Sequence, residues 1–352
     1  MKNYKLLLII LLGSILVCTK CGKNTSDNGF SFDESQFKKK FLESDVAKLS
    51  VLNADNKTVD SIVFYINDVK IGSQKGINSF NFSLKNQKMG YQNLKSNIYF
   101  DGETVAQTVV SKLEIVSSVT PKLLKFEIVN TYPHDTTSFT EGLEFYNGIL
   151  YENTGEKGKS RLLKTDFKTG KILKSVPMET QYFGEGITVI SDKIYQLTWQ
   201  DQIGFIYDAR SMVFEKTFKY DKQIEGWGMT NDGKNIYQSD GTEKIWTMDP
   251  DTQKLLSYIN VYSGSEKIKS VNELEWVDGK IYANIWQKDA VAVVNPASGA
   301  VENIINLAKL RKLTKATPED TLNGIAYNHS TKTFFVTGKN WDKMFEIRIL
   351  NK

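Results

Sequence analysis

The chain has 352 residues, of which 40% are hydrophobic and 12% aromatic, enough for two globular domains with apolar cores. Its 45 basic and 41 acidic side chains leave a formal charge of only +4, and no run of Lys or Arg forms a phosphate-binding stripe. The composition therefore argues against a nucleic-acid partner.

The N-terminus has the pattern of an export signal. Two lysines flank the start of an apolar run of 12 residues, Leu6 to Val17, which is too short to span a bilayer and suits a signal-peptide core. Cys18 and Cys21 follow directly, and a Cys in this place resembles a bacterial lipoprotein box. We predict a signal peptide over 1–21 with Cys18 or Cys21 lipidated, and an exported lipoprotein of the bacterial periplasm or cell envelope. The alternative is a plain signal peptide with two incidental cysteines.

A linker and a small β domain are predicted next. Residues 22–43 are largely polar and are predicted to be a linker. Residues 44–120 contain short apolar stretches separated by turn residues such as Asp101-Gly102, without helical periodicity. This pattern favours a small immunoglobulin-like β-sandwich that acts as a spacer or docking module. A proline marks the start of the second domain, residues 121–352.

The second domain repeats one pattern five times. Each repeat opens with a short polar or glycine-rich phrase and continues with a turn and an apolar–aromatic step. The starts lie 44, 42, 45 and 51 residues apart, a period typical of a β-propeller. We therefore predict an all-β chain with a five-bladed β-propeller preceded by the immunoglobulin-like sandwich. The repeats start at Glu141, Glu185, Trp227, Asn272 and Asn323.

The fifth repeat ends early, with its third strand at residues 344–349. An open propeller would leave unpaired backbone groups at that edge. Residues 122–131 form a spare strand pattern before the first repeat, so we predict that they pair there as the outermost strand of the fifth blade. The third strands of the other four blades end in residues that we assign to hydrogen-bonded turns rather than to catalysis. These are Asp166, Asp208, Asp249 and Asn295.

Two sets of equivalent positions point to a site. The innermost strands of a propeller line its channel, so the five residues that start the repeats form a first ring. A second ring, four residues after the Tyr or Phe of the second strand, consists of Gly155, Trp199, Gly241, Trp286 and Lys339. Three tryptophans map to one end, which predicts an aromatic pocket with carboxylate, amide and ammonium groups for a small ligand. The alternative is a wet polar channel with tryptophans that serve packing.

The sequence also limits the chemistry. It contains only two histidines, His134 and His329, so a multi-histidine zinc site is not expected. Both are predicted to be surface or loop residues. No histidine lies beside a candidate serine, and both cysteines fall in the N-terminal signal. Acid–base work is therefore assigned to carboxylates.

Phrases in every repeat match one known family. They are Tyr132-Pro-His-Asp135, Phe139-Thr-Glu-Gly-Leu143, Tyr182-Phe-Gly-Glu-Gly-Ile187, Ile203-Gly-Phe-Ile-Tyr-Asp208, Gly226-Trp-Gly228, Ser239-Asp-Gly-Thr242, Asn272-Glu-Leu-Glu275, Ala283-Asn-Ile-Trp-Gln287, Leu322-Asn-Gly-Ile-Ala326 and Val336-Thr-Gly-Lys-Asn-Trp341. With these phrases the chain resembles the glutamine cyclotransferases of plant and bacterial type. The resemblance covers about residues 125–350 and leaves out the N-terminal domain.

The resemblance implies a five-bladed propeller that converts the N-terminal glutamine of a peptide to pyroglutamate and releases ammonia. By similarity, Glu185 is the acid–base residue, and Asn272 or Lys339 is the donor to the developing oxyanion. Glu141 either holds the substrate's amine or tunes Glu185. The implied substrate-binding residues are Phe139, Glu141, Phe183, Trp199, Trp227 and Trp286.

The scheme requires no cofactor, and it is compatible with a structural calcium ion on the axis, although the sequence reveals no ligands for one. The expected partners are peptides or proteins with N-terminal glutamine, with membrane contact only through the lipid anchor, and we expect a monomer. Two other functions compete: a calcium-dependent propeller hydrolase of the lactonase kind, and a non-catalytic surface lipoprotein that binds peptides or sugars.

Overall fold

The computed structural model describes residues 29–350, so the predictions for the signal peptide, Cys18 and Cys21 lie outside it. The regular secondary structure of the described chain is almost entirely β-strand, which confirms the all-β prediction. It also contains a 3₁₀ helix, Glu34–Gln36, and an α-helix, Ala308–Arg311. Within residues 29–350, no helix has the length and apolar character that a membrane span requires.

The described chain divides into two compact units that are not consecutive in sequence. One contains the residues through Phe37 together with Ala47–Phe82 and Asn93–Lys112. The other contains Lys38–Val46, Ser83–Gln92 and the chain from Leu113 onward. This division differs from the predicted boundaries of 44–120 and 121–352. The reason lies in long-range bonds inside the second unit, such as Lys40 Nζ to the carbonyl of Ser265 at 2.6 Å, which no local pattern reveals.

Ten strands precede the repeats, and three short sheets form from nine of them, in the orders β2-β9-β8-β5-β6, β1-β4 and β3-β7. In the first unit, the buried ring of Phe64 stacks on the partly buried ring of Phe80, with centroids 5.4 Å apart. The strands are β1 Phe30–Phe32, β2 Phe41–Leu42, β3 Val46–Leu49, β4 Val51–Asn53, β5 Val59–Ile66, β6 Val69–Lys75, β7 Phe80–Ser83, β8 Gly90–Phe100, β9 Gln107–Val116 and β10 Lys122–Pro133.

The predicted linker over 22–43 differs from the structure in its described part. Strand β1 pairs antiparallel with β4, and Phe30 and Phe32 are both buried. Phe41 in β2 is buried as well. Alternate phenylalanines place their rings on one face of a strand, and this face is covered. The polar residues around them concealed that short pattern.

The first three repeats each form a four-stranded antiparallel sheet, whereas the fourth and fifth repeats share one eight-stranded sheet with the strand that precedes the repeats. We call the five groups of four strands the first to fifth sheets in chain order. The first sheet contains β11 Thr140–Tyr146, β12 Ile149–Thr154, β13 Arg161–Asp166 and β14 Lys171–Pro177, and the second contains β15 Gly184–Ile190, β16 Lys193–Thr198, β17 Ile203–Asp208 and β18 Phe214–Lys219. The third sheet contains β19 Met229–Asn231, β20 Ile236–Ser239, β21 Lys244–Met248 and β22 Leu255–Asn260. A hairpin of β23 Tyr262–Ser263 and β24 Glu266–Lys267 follows, and the fourth sheet then contains β25 Val271–Val277, β26 Lys280–Ile285, β27 Ala290–Val294 and β28 Val301–Asn306.

The fifth sheet is completed by the strand that precedes the repeats. Its own strands are β29 Leu322–Asn328, β30 Thr333–Gly338 and β31 Lys343–Leu350. Strand β10 pairs antiparallel with β31, as predicted for residues 122–131. Its first residues, Lys122–Leu124, also pair in parallel with β28 of the fourth sheet, which the sequence did not predict. Strand β10 therefore covers the open edge of the last repeat, and its own first residues are paired on the other side as well.

The inner strands of the five sheets contact one another in a closed cyclic order: β11, β15, β19, β25, β29 and back to β11. A separate hydrophobic cluster fills each junction between neighbouring sheets. The cluster that closes the cycle joins Leu143 and Leu150 of the first sheet to Phe335 and Met344 of the fifth. Burial between the sheets thus holds the ring of inner strands together.

The turns between third and fourth strands have the predicted structure. Asp166 Oδ1 accepts the backbone N–H of Lys168 at 3.1 Å, and equivalent bonds form at the other three sheets. These Asp and Asn side chains therefore accept hydrogen bonds from the backbone of their own turns, as short polar side chains commonly do.

Candidate active site

The residues that start the repeats lie where the inner strands lose regular pairing. In β11, β15, β25 and β29 the pairing with the next strand shifts register near its first residues. Irregularities of this kind redirect side chains away from the simple alternation of a strand. Trp227 lies two residues before β19 begins and is likewise outside the ladder. The shifts contain Glu141, Glu185, Asn272 and Asn323, in that order.

The second ring is fastened to the first by the backbone. In four sheets, the N–H of the second-ring residue donates to the carbonyl two residues before the first-ring residue, at distances of 2.8–3.1 Å. The two rings are therefore adjacent at the same end of these sheets. The bonds run from Gly155 to Phe139, from Trp199 to Phe183, from Trp286 to Ser270 and from Lys339 to Thr321.

Aromatic side chains form a wall beside the first and second rings of residues. The rings of Phe139 and Phe183 meet edge to face with centroids 6.1 Å apart, and Phe183 contacts Trp199 at 5.8 Å. Trp227 and Trp286 meet edge to face at 6.1 Å. These are favourable aromatic geometries. Trp286 is 41% exposed, so it presents indole surface to an incoming ligand.

The two glycines of the second ring make room for this wall. A Cβ on Gly155 would lie 2.4 Å from the Phe183 ring, and a Cβ on Gly241 would lie 2.3 Å from the Trp227 indole. Gly241 also has a φ of +74°, which disfavours any other residue. The small residues are thus required by the aromatic side chains opposite them.

Glu225 connects the two halves of the wall, and the sequence analysis missed it. Its Oε2 accepts hydrogen bonds from Trp199 Nε1 at 2.8 Å and Trp227 Nε1 at 2.9 Å. Partial burial acts to raise the pKa of Glu225, but the bonds from Gln200, Trp227 and Trp199 hold it below its usual value. The available signal was its position directly before the Gly226-Trp-Gly phrase.

Glu141 and Lys339 form a buried ion pair. Lys339 Nζ lies 2.6 Å from Glu141 Oε1, and only 9% and 2% of the two side chains are exposed. Asn323 Nδ2 donates to the other oxygen, Oε2, at 2.8 Å. The Lys339 ammonium also lies 4.4 Å from the centroid of the Phe139 ring. Both oxygens of Glu141 are therefore engaged by the protein.

Glu185 is buried but unpaired. It is 5% exposed, and its Oε2 is buried without a hydrogen-bond partner among the described residues. Burial and the negative charges of Glu141 and Glu225 raise the pKa of Glu185 well above its usual value, against the opposing charge of Lys339. The Glu185 carboxyl consequently holds a proton more readily than an exposed glutamate does.

Asn272 offers a second unengaged polar group. It is 2% exposed, and its Oδ1 is buried without a partner among residues 29–350. Its backbone is fixed, because Ser239 Oγ donates to the Asn272 carbonyl at 2.7 Å and accepts from the N–H of Gly228 at 2.7 Å. The side-chain amide is therefore held at a fixed position with hydrogen-bonding capacity to spare.

His134 lies in a loop directly after β10, which agrees with one of its two predicted settings, but it is not a surface residue. The side chain is 2% exposed, and its ring contacts the carbonyl of Trp341 at 2.8 Å and Glu152 Oε1 at 3.0 Å. Both partners are acceptors, so both ring nitrogens carry hydrogens. Burial acts to lower the pKa of His134, but Glu152 outweighs it and the pKa is raised. His329 is exposed, as predicted.

Within the described part of the chain, no group of three or more His, Cys, Asp and Glu side chains is arranged to hold a metal ion. The proposed chemistry uses no step through a cation.

Comparisons with known proteins agree on one family. The family model described as glutamine cyclotransferase matches residues 103–349. A glutaminyl-peptide cyclotransferase of Arabidopsis thaliana is 39% identical over 233 residues, which cover 65% of this chain and 72% of that protein. The crystal structure of a glutaminyl cyclase from Myxococcus xanthus matches with a TM-score of 0.62 and 30% identity, covering 66% of this chain and all of that chain.

Proposed function

This chain belongs to the glutamine cyclotransferase family, and we propose that it is a glutaminyl-peptide cyclotransferase that closes an N-terminal glutamine to pyroglutamate and releases ammonia. One observation of the site supports this most strongly. Glu185 is a buried, unpaired carboxyl beside an aromatic wall and a buried ion pair. Such a group suits proton transfer in a water-poor pocket.

The first requirement of the reaction is positioning. The α-amine of the substrate attacks the amide carbon of its own side chain, and both groups belong to one residue. The enzyme therefore gains by holding the near-attack conformer. Phe139, Phe183 and the tryptophans supply the apolar surface for this, and Glu225 fixes the orientation of Trp199 and Trp227.

Glu185 moves the proton. As the bond between the amine nitrogen and the amide carbon forms, the attacking nitrogen gives a proton to the Glu185 carboxylate. Glu185 then gives this proton to the leaving nitrogen, the carbon–nitrogen bond breaks, and ammonia departs from the five-membered lactam. The raised pKa of Glu185 makes its carboxylate a stronger base toward the attacking nitrogen than an exposed glutamate is.

Asn272 is the preferred donor to the oxyanion. Both Asn272 and Lys339 were candidates, but Lys339 is engaged by Glu141 at 2.6 Å. The donor is the Nδ2 group of the buried Asn272 side chain, which forms no hydrogen bond with another described residue. Removing a donor of this kind typically costs on the order of 100-fold in rate. Lys339 then acts on the site chiefly through its pair with Glu141.

Glu141 tunes Glu185 rather than holding the substrate amine. Its oxygens already accept from Lys339 and Asn323, and its charge is the second cause of the raised pKa of Glu185 after burial. A carboxylate committed to two protein donors contributes through its field.

We also propose the finer architecture and the cellular setting. The five sheets are the blades of a five-bladed β-propeller, supported by the cyclic order of the inner strands and the cluster between each pair of sheets. The N-terminal unit is an immunoglobulin-like β-sandwich. The protein is a monomeric exported lipoprotein of the cell envelope, anchored through Cys18 or Cys21, and its catalysis requires no cofactor.

The test is a coupled ammonia assay on matched Gln-, Asn- and Glu-initiated tripeptides, with the chain lacking residues 1–21. We expect ammonia from the Gln peptide alone, and unchanged rates in EDTA. Loss of activity in EDTA would instead favour a calcium-dependent propeller enzyme. No ammonia from the Gln peptide, together with its binding, would favour a non-catalytic binder and refute the proposal.

A further inference from the structure

A groove continues outward from the candidate active site. It has a volume of about 860 Å³ and shares three lining residues with the site: Phe139, Trp286 and Lys339. A pocket for one glutamine side chain needs only a small part of this space, since whole drug-sized ligands fit sites of about 300–1,000 Å³. The groove therefore has room for chain beyond the reacting residue.

The outer wall of the groove is the connection between β28 and β29, residues 307–321. This connection is held in place by several bonds. Arg311 Nε lies 3.0 Å from both oxygens of Asp289, and Arg311 Nη1 donates to the carbonyl of Thr317 at 3.0 Å. Trp341 Nε1 donates to the carbonyl of Asp320 at 2.9 Å. The wall is thus a built part of the second unit.

All but one of the charged side chains that line the groove form ion pairs with described residues. Arg311 is paired with Asp289, and Lys339 is paired with Glu141. Glu319 is exposed, and it is the one charged lining residue that forms no ion pair with the described residues. An uncompensated carboxylate in a groove attracts a cation.

We propose that this groove binds the peptide that follows the reacting glutamine, with Trp286 packing against the second residue and Glu319 favouring a basic side chain at the second or third residue. This rests on the proposed cyclotransferase function. The α-amine and side chain of the glutamine must both lie inside the pocket, so the rest of the peptide leaves through the opening that pocket and groove share. The preferred substrates are therefore peptides with Lys or Arg at the second or third residue.

The size of the preference follows from its exposure. Exposed charge pairs contribute little, so we expect kcat/KM for a Gln-Lys-Ala peptide to exceed that for Gln-Glu-Ala by roughly two- to fivefold. Most of this difference should lie in KM, because the interaction is made equally before and in the transition state. It should shrink as ionic strength rises, since salt screens exposed charges.

The experiment compares Gln-Lys-Ala, Gln-Ala-Ala and Gln-Glu-Ala with the parent chain and three variants. Glu319→Lys should reverse the order of Lys and Glu peptides, and Glu319→Gln should abolish the preference. Asp251→Lys makes the same charge change on an exposed outer turn and should keep the parental order. Trp286→Ala should raise KM for Gln-Ala-Ala more than for glutamine amide, which does not extend into the groove.

Equal kcat/KM for the Lys and Glu peptides with the parent chain, or the same peptide order in Glu319→Gln and the parent, overturns the proposal. If Glu319→Lys does not fold, the parent and Glu319→Gln results decide alone. Failure of the cyclotransferase function is distinguishable, because the parent chain would then release no ammonia from Gln-Ala-Ala at all.

Discussion

Lys339 and Glu141 form an ion pair of 2.6 Å in which neither side chain is more than 9% exposed. They come from the fifth and first sheets, so the pair crosses the closure of the ring of inner strands. Both belong to the positions that the sequence places in its two rings. The pair sets the charge beside Glu185, whose pKa Glu141 raises and Lys339 lowers. Its integrity therefore bears on both folding and chemistry.

Removing one member of this pair should be more damaging than removing both. Lys339→Met leaves a buried carboxylate without its counter-charge, which typically costs about 3–5 kcal/mol. Adding Glu141→Gln to Lys339→Met should restore part of that loss. Urea unfolding of the parent, both single variants and the double variant measures the coupling. Strictly additive effects on the free energy of unfolding would show that the two side chains do not interact.

Neutralising Glu225 should change the pH profile of activity. Its charge helps to raise the pKa of Glu185, so Glu225→Gln should lower that pKa and move the acidic limb of kcat/KM to lower pH. Glu225→Ala should also lose the acceptor for both indoles and lower kcat/KM by about tenfold or more. Glu215→Gln, on the outer strand of the second sheet, is the control and should leave the limb in place. An unshifted limb in Glu225→Gln would contradict the electrostatic role.

The ionisation of Glu144 should lower the free energy of unfolding of the chain as pH rises. Burial raises the pKa of this carboxyl to about 7, and its Oε2 has no hydrogen-bond partner among the described residues. A raised folded-state pKa means that its contribution is present in acid and is lost as pH rises from the ordinary glutamate value through about 7. Glu144→Gln cannot ionise, so relative to its parent it should gain up to about 3 kcal/mol between pH 5 and pH 9. Thermal or urea unfolding across this range decides it, and a constant difference would count against the assignment.

The stability of the folded chain should depend on pH through His134. Its pKa is raised in the folded chain, so the stability from its bonds to Glu152 and Trp341 is present below the ordinary histidine value of about 6.5. It is lost as pH rises through the raised pKa. His134→Gln should therefore destabilise by about 1.5–3 kcal/mol at pH 5 and by less at pH 9. Equal losses at both pH values for His134→Gln would indicate a neutral ring.

The repeat pattern was sufficient for much of the architecture. Short strands with a regular period predict the successive sheets, and the missing strand of the last repeat predicts the pairing of β10 with β31. These features follow from local periodicity and from the need to pair backbone groups at an edge. The same alignment of repeats placed Glu185 and Asn272 in the first ring and Lys339 in the second, and backbone hydrogen bonds hold the second ring beside the first.

What the sequence did not predict depends on contacts between distant residues. Glu225 matters because two indole nitrogens from neighbouring sheets converge on one oxygen. The burial of His134 depends on hydrogen-bond acceptors that lie 18 and 207 residues away in the sequence. The register shifts that contain Glu141 and Glu185 arise from strand pairing, which single-strand periodicity does not encode. Each of these features is fixed only when the sheets assemble.

The most direct test of the account is the rate of ammonia release from a Gln-initiated peptide by Glu185→Gln. The variant keeps the size of the side chain but cannot carry the proton, so kcat should fall by at least about 100-fold while the fold is retained. Its stability at neutral pH should equal or exceed that of the parent, because a buried carboxyl that resists ionisation is removed. Glu144→Gln, which also replaces a buried glutamate, should keep its activity. Ammonia release by a folded Glu185→Gln at the parental rate would contradict the central claim.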